Sequence, residues 1–252
     1  MLFFGVSSES PPSDRWYTWP MKYSLSRVSG LFRGGTSLLI HLLWPCSCLF
    51  CGALGEVCCP SCLDAYMARH GGQTFRFGDP PLDIAYGSLY RGRGRELVHR
   101  LKYRDEAVLG KLLGEALGRH FHALLEGGTF IPLPLHHKSP RSYNQALLLA
   151  RGAARACGGS VWDCLFWKNE TEPQTGKNRA QRQALSSEAL GFSGISRKKR
   201  PLPLVLVDDV STTGTTLKAA AGILGKQGYE VSLGVVCCFA PSGGDSSMTE
   251  GA

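Results

Sequence analysis

No run of about eighteen apolar residues occurs in the 252-residue sequence, so no transmembrane helix is expected. The first residues lack the basic start, apolar core and small-residue cleavage site of a secretory signal, and the cytoplasm is the expected compartment. Internal repeats and low-complexity runs are also missing, which leaves no sign of a repeat array. Cysteine is absent from the long stretch between Cys62 and Cys157, although the chain has ten cysteines and six of them fall within residues 46–62. A secreted disulfide scaffold would be smaller and would spread its cysteines, so this clustering points to metal in a reducing compartment.

What is present supports a folded, anion-binding chain. Apolar residues make up 43% of the sequence, enough for a substantial core. A formal charge of +8 and a pI near 9.0 favour anionic partners, phosphorylated sugars as well as nucleic acid.

Cys48-x-x-Cys51 is followed by Cys59-x-x-Cys62, and two such pairs at short separation bring four thiolates into the tetrahedron of a structural zinc site. Gly52 and Gly55 supply tight turns between them. Four sulfur ligands leave no open position for water, so the metal is read as folding a small module and not as catalytic. Cys46 and Cys58 are spare, and the register is open by a residue or two.

The stretch on which the rest is organised is 204–217, LVLVDDVSTTGTTL. Val205, Leu206 and Val207 lack polar alternation, as in a strand covered on both faces. Asp208 and Asp209 follow at its carboxyl end, the edge where open α/β sheets bind ligands. Ser211, Thr212, Thr213, Gly214, Thr215 and Thr216 then offer hydroxyls, backbone N–H groups and the start of a helix, a cradle for phosphate. No lysine occurs here until Lys218, which excludes a Walker loop. Carboxylates beside a phosphate cradle read as a site for an anionic ribose.

Earlier in the chain, 130–135 (FIPLPL) is a brief strand running into His136, His137, Lys138, Ser139, Pro140 and Arg141, then Tyr143, Asn144 and Gln145 before a helix over 146–157. Such a loop suits a pyrophosphate, since lysine and arginine neutralise its charge. Residues 94–121 read as helix with an apolar face of Leu97, Val98, Leu101, Val108, Leu109, Leu112, Leu113 and Leu117, a pattern that Lys102 and Tyr103 interrupt. Strands are expected over 82–90, 161–167 and 230–239, and a helix over 217–227. The polar insertion 168–187, with Arg182, is read as a lid over the charged site. The expected divisions are a flexible extension at 1–35, a zinc knuckle at 36–70, an α/β domain at 82–240 and a polar tail at 241–252.

Residues 204–216 resemble the fingerprint of phosphoribosyltransferases that bind 5-phosphoribosyl 1-diphosphate: an apolar strand, two acidic residues, then Thr-Thr-Gly-x-Thr. Residues 38–240 as a whole resemble the ComF family, also called ComF/GntX and amidophosphoribosyltransferase-like. The matches are Cys48, Cys51, Cys59 and Cys62; Leu101, Lys102 and Tyr103; Pro132, Pro134 and Leu135; Arg141 with Tyr143, Asn144 and Gln145; Thr171, Gln174 and Arg182; and 208–216. Ser142, Leu185 and Leu190 stand where the family usually has Gly, Asn and Phe.

The resemblance implies an α/β fold, a type I phosphoribosyltransferase-like parallel sheet flanked by helices, with a small N-terminal zinc-binding module. It implies that Asp208 and Asp209 hold the ribose hydroxyls, directly or through magnesium, while 211–216 hold the 5-phosphate and Lys138, Arg141, Asn144, Gln145 and Arg182 serve the diphosphate. The implied role is phosphoribosyl transfer (a glycosyltransferase reaction) to a nitrogen acceptor, in a protein associated with competence. The alternative is a non-catalytic phosphoribosyl- or single-stranded-DNA-binding accessory protein of DNA uptake, with single-stranded DNA or DNA-uptake proteins as its partners.

Overall fold

The computed structural model describes residues 47–72, 74–77, 81–103, 107–136, 139, 141–168, 190–194 and 203–241. The extension at 1–35, the insertion 168–187 read as a lid except for its first residue, the polar tail from 242 on, Lys138, Thr171, Gln174 and Arg182 lie outside these residues.

The described chain is α/β. Its elements run α1 (Pro60–His70), β1 (Thr74–Phe77), β2 (Leu82–Leu89), α2 (Gly92–Tyr103), α3 (Ala107–His120), α4 (His122–Leu125), β3 (Thr129–Pro132), α5 (Gln145–Cys157), β4 (Ser160–Val161), β5 (Leu165–Trp167), β6 (Leu190–Phe192), β7 (Leu204–Ser211), α6 (Thr215–Lys226) and β8 (Leu233–Phe239). One sheet has the order β1-β2-β8-β7-β3-β4, and β5 pairs with β6 in a second. Within the larger sheet β2, β8, β7, β3 and β4 are parallel, and only β1 is antiparallel to its neighbour.

Both faces of that sheet are covered, which explains the unbroken apolar strands. Successive side chains of β7 point to opposite faces. Val205 and Val207 enter a core shared with Leu97, Leu113 and Leu149 from α2, α3 and α5, while Leu204 and Leu206 enter a second core with Leu217, Ala220 and Leu224 from α6. The first core also takes Cys58, Leu63 and Met67, so the four-cysteine segment and the sheet share packing. Cys237 and Cys238 are buried in it too.

Several expected elements have different bounds. The single helix over 94–121 is two helices, and Val108 is 67% exposed instead of lying on the apolar face, because α3 starts a new phase. The strand expected over 161–167 is two short ones in different sheets, β4 and β5. β1 falls where glycines and prolines mark only a break. β3 stops at Pro132, and it lies inside the sheet between β7 and β4, with its proline at the strand end.

Helices α3 and α5 approach along a glycine seam. Gly110, Gly114 and Gly118 recur every four residues and so share one face of α3. A Cβ at Gly114 would overlap the carbonyl oxygen of Leu149, and one at Gly118 would come within 2.8 Å of Ala156 Cβ. Backbone cannot yield as a flexible side chain can, so Gly114→Ala is expected to cost about 2–4 kcal/mol in urea unfolding. Gly222→Ala, in an exposed helical position with no atom within 4 Å of the new Cβ, is expected to be neutral or to stabilise by about 0.5–1 kcal/mol. Equal losses at both positions would contradict the seam.

Candidate functional site

From β3 the chain moves to β4 on one side, and from β7 it moves to β8 on the other. The order therefore reverses between β3 and β7, where open parallel sheets form a crevice beyond their carboxyl ends. A cavity of about 430 Å³ lies there, lined by Leu133, Pro134, Leu135, His136, Ser139, Arg141, Asn144, Gln145, Ala146, Trp167, Asp208, Asp209 and Thr216.

The two carboxylates have different surroundings. Asp209 is 7% exposed, and its Oδ1 lies 2.9 Å from Lys102 Nζ at the end of α2. Asp208 is half-buried, and its Oδ1 accepts a 2.7 Å hydrogen bond from the backbone N–H of Asp209. Burial, and next the negative charge of Asp209, push the Asp208 carboxyl up to about 8, against the pull of Lys102 and Arg141. Two adjacent carboxylates with limited solvent resist joint ionisation.

On the facing loop, the Arg141 backbone N–H donates to Ser139 Oγ at 3.4 Å and its Nη1 donates to Gln145 Oε1 at 3.3 Å. The guanidinium also sits 5.8 Å from the Tyr103 ring centroid. Arg141 Nε and Gln145 Nε2 are buried and have no hydrogen-bond acceptor among the described residues. Gln145 is only 2% exposed. Buried donors without acceptors are costly, and two at the rim of one cavity call for an acceptor-rich ligand.

Other predicted residues serve the frame. Asn144 caps α5, accepting from Leu147 N at 3.4 Å, and its Nδ2 donates to Leu133 O at 2.9 Å. Tyr143 Oη donates to Leu101 O at 2.6 Å, tying the basic loop to the end of α2 beside Lys102. In the loop after β7, Gly214 has φ +66° and caps α6 without a side-chain bond, while Thr213 Oγ1 and Thr215 Oγ1 lie 2.8 Å apart. The first N–H groups of α6 are thus left for an anion. Of 211–216, Thr216 lines the cavity, Thr212 is exposed and Ser211 is buried, its carbonyl accepting from Ala240 N.

Two residues were missed as members of the site. The sequence marks Lys102 as an interruption of a helical pattern and as one of the family matches, but not as a member of the site; a cation at an inward position is the signal that it meets a buried carboxylate. Trp167, whose Nε1 donates to Pro134 O at 2.8 Å, gave no local signal because its strand reaches the cavity from the smaller sheet.

The second cluster is the four-cysteine group. The sulfurs of Cys48, Cys51, Cys59 and Cys62 all lie within 4.8 Å of one another. Cys59 Sγ is 3.7 Å from both Cys48 Sγ and Cys51 Sγ. A tetrahedron with metal–sulfur bonds of about 2.3 Å has edges of about 3.8 Å, so the donor set fits a metal ion such as zinc. Cys59 N donates to Cys48 Sγ at 3.4 Å. Gly52 and Gly55, at φ +72° and +102°, make the turns between the pairs, and Cys58 is core instead of ligand.

A resident magnesium fits the acidic pair less well. One oxygen of each carboxylate is already engaged, by Lys102 or by the backbone, and among the described residues the remaining charged side chain lining the cavity is Arg141. Magnesium takes near-octahedral oxygen and water ligands, and a cation at bonding distance opposes it. Among the described residues no helix is long and apolar enough to cross a membrane.

No family model matches the chain. It is 24% identical over 190 residues to competence protein ComFC of Streptococcus pneumoniae, covering 73% of this chain and 83% of that protein. It is 29% identical over 144 residues to competence protein F of Haemophilus influenzae, covering 53% of this chain and 62% of that protein.

Proposed function

We propose, on the premise that this chain belongs to the ComF family of competence proteins, that it binds 5-phosphoribosyl 1-diphosphate and transfers the phosphoribosyl group to a nitrogen acceptor in a competence-associated role. The observation that carries this reading is the pair of buried donors on Arg141 and Gln145, without acceptors among the described residues, in the same cavity lining as two carboxylates. Acceptor-rich phosphate satisfies the donors, and ribose hydroxyls, which donate, satisfy the carboxylates.

In this reading the 5-phosphate rests on the N–H groups at the start of α6, between Gly214 and Thr216. Asp208 and Asp209 hold the ribose hydroxyls. As the diphosphate leaves, positive charge grows on the ribose and the adjacent carboxylates stabilise it electrostatically. Arg141 receives the diphosphate, with Lys138 and Arg182 as further cations from the loop and the lid. Magnesium enters with the diphosphate and supplies charge neutralisation on its oxygens.

Calorimetric titration of phosphoribosyl diphosphate with magnesium into the wild type and Asp208→Asn/Asp209→Asn tests the reading. Saturable binding is expected for the wild type and at least about 100-fold weaker binding for the variant, since several charge-assisted hydrogen bonds are lost. Equal affinities, or no binding by either protein, would sink it. Diphosphate release with a panel of bases and amines then separates an enzyme from a binding protein.

A further inference from the structure

We propose that Lys102 is the resident counter-cation of the acidic pair, so that the site takes a ribose phosphate without a divalent metal held by the protein. The ligand named in this proposal rests on the phosphoribosyl reading above; the role of Lys102 does not.

The geometry is specific. Lys102 Nζ lies 2.9 Å from Asp209 Oδ1, with the two side chains only 18% and 11% exposed. An exposed lysine–aspartate pair is weak and exchangeable, whereas one shielded to this degree keeps its cation in place. Lys102 is the penultimate residue of α2, where a positive charge also suits the helix C-terminus. Tyr143 Oη, bonded to Leu101 O at 2.6 Å, fixes that helix end from the opposite loop, and Arg141 lies over the ring of Tyr103. The ammonium is therefore positioned by its neighbours on both sides in sequence.

The consequence concerns metal. A divalent ion on Asp209 would sit within a few ångströms of the ammonium and be repelled by it. The second oxygen route, Asp208 Oδ1, is taken by a backbone N–H. A ribose hydroxyl brings no charge and donates to whichever carboxylate oxygen faces the cavity. The pair is thus built for hydroxyls, with lysine doing locally what a metal would do elsewhere.

Two measurements test this on the zinc-loaded full chain. In the first, electron paramagnetic resonance follows free Mn²⁺ during titration of the ligand-free protein. Wild type and Lys102→Arg are expected to bind manganese at least about tenfold more weakly than Lys102→Gln, and Lys102→Gln/Asp209→Asn is expected to lose that gain. In the second, ribose 5-phosphate is titrated with and without magnesium. Wild-type affinity is expected to change less than about twofold, whereas Lys102→Gln is expected to gain at least about tenfold from magnesium. A wild type that needs magnesium for ribose 5-phosphate, or that binds manganese as tightly as Lys102→Gln, overturns the proposal, and the first of these results is readable even if Lys102→Gln does not fold. Ribose 5-phosphate binding to no variant would instead overturn the phosphoribosyl reading, leaving manganese to decide the role of Lys102.

Discussion

Replacing Cys59 by serine is expected to lower the melting temperature by more than about 10 °C and to abolish retention of one zinc per chain. Cys59 is central to the group, its sulfur standing 3.7 Å from two of the other three. The loss would not stay local. α1 begins at the residue after Cys59, and its Leu63 and Met67 are 0% and 2% exposed in the same core as Leu97, Leu113 and Val205. Without the metal the loop before α1 has only a few backbone bonds to order it, so those side chains would lose their fixed placement. Arg119, which holds Asp64 of α1 by bonds of 2.8 Å and 3.0 Å, is exposed and would compensate little. Metal analysis and differential scanning calorimetry check the outcome. A chain purified without metal that melts at the wild-type temperature would contradict it.

Asp208→Asn is expected to act in opposite directions on binding and on stability. The folded carboxyl, raised from 3.8 to about 8, holds a proton that the unfolded chain releases. The stability it contributes is therefore full below its ordinary range, falls as the pH rises, and is gone above about 8. Asparagine cannot ionise and keeps an oxygen for the backbone N–H of Asp209, so the variant should gain on the wild type as pH rises. At pH 9 it is expected to melt about 3–8 °C higher, a difference of about 1–3 kcal/mol. Binding has the reverse dependence, because ribose hydroxyls bond best to the ionised form. Wild-type affinity for ribose 5-phosphate should rise about tenfold from pH 7 to pH 9, and the variant should bind weakly at both. Thermal melts and calorimetry across that range check both effects. A variant with the wild-type pH profile would show that Asp208 is not the titrating group.

How far the site can be read from the sequence follows the range of the forces that build it. Local sequence determined an acidic pair on a buried strand, the glycine turn into α6 and the spacing of four cysteines, because strand burial, positive φ and tetrahedral thiolate geometry each act over a few neighbouring residues; the strand itself runs past the pair, its expected end, to Ser211, because β8 continues beside it. It also determined the class of fold, since apolar strands alternating with amphipathic helices have few ways to bury both faces. It did not determine that Arg141 and Gln145 would be left with unmatched donors, that Lys102 would reach Asp209, or that Trp167 would come from a separate sheet to wall the cavity. Those pairings join residues far apart in the chain, and tertiary packing decided them: the strand order reverses between β3 and β7, and whatever the helix ends and loops carry is brought to that crevice. The glycine seam of α3 belongs to the same class, for its spacing is visible in the sequence but the backbone that it must admit is not.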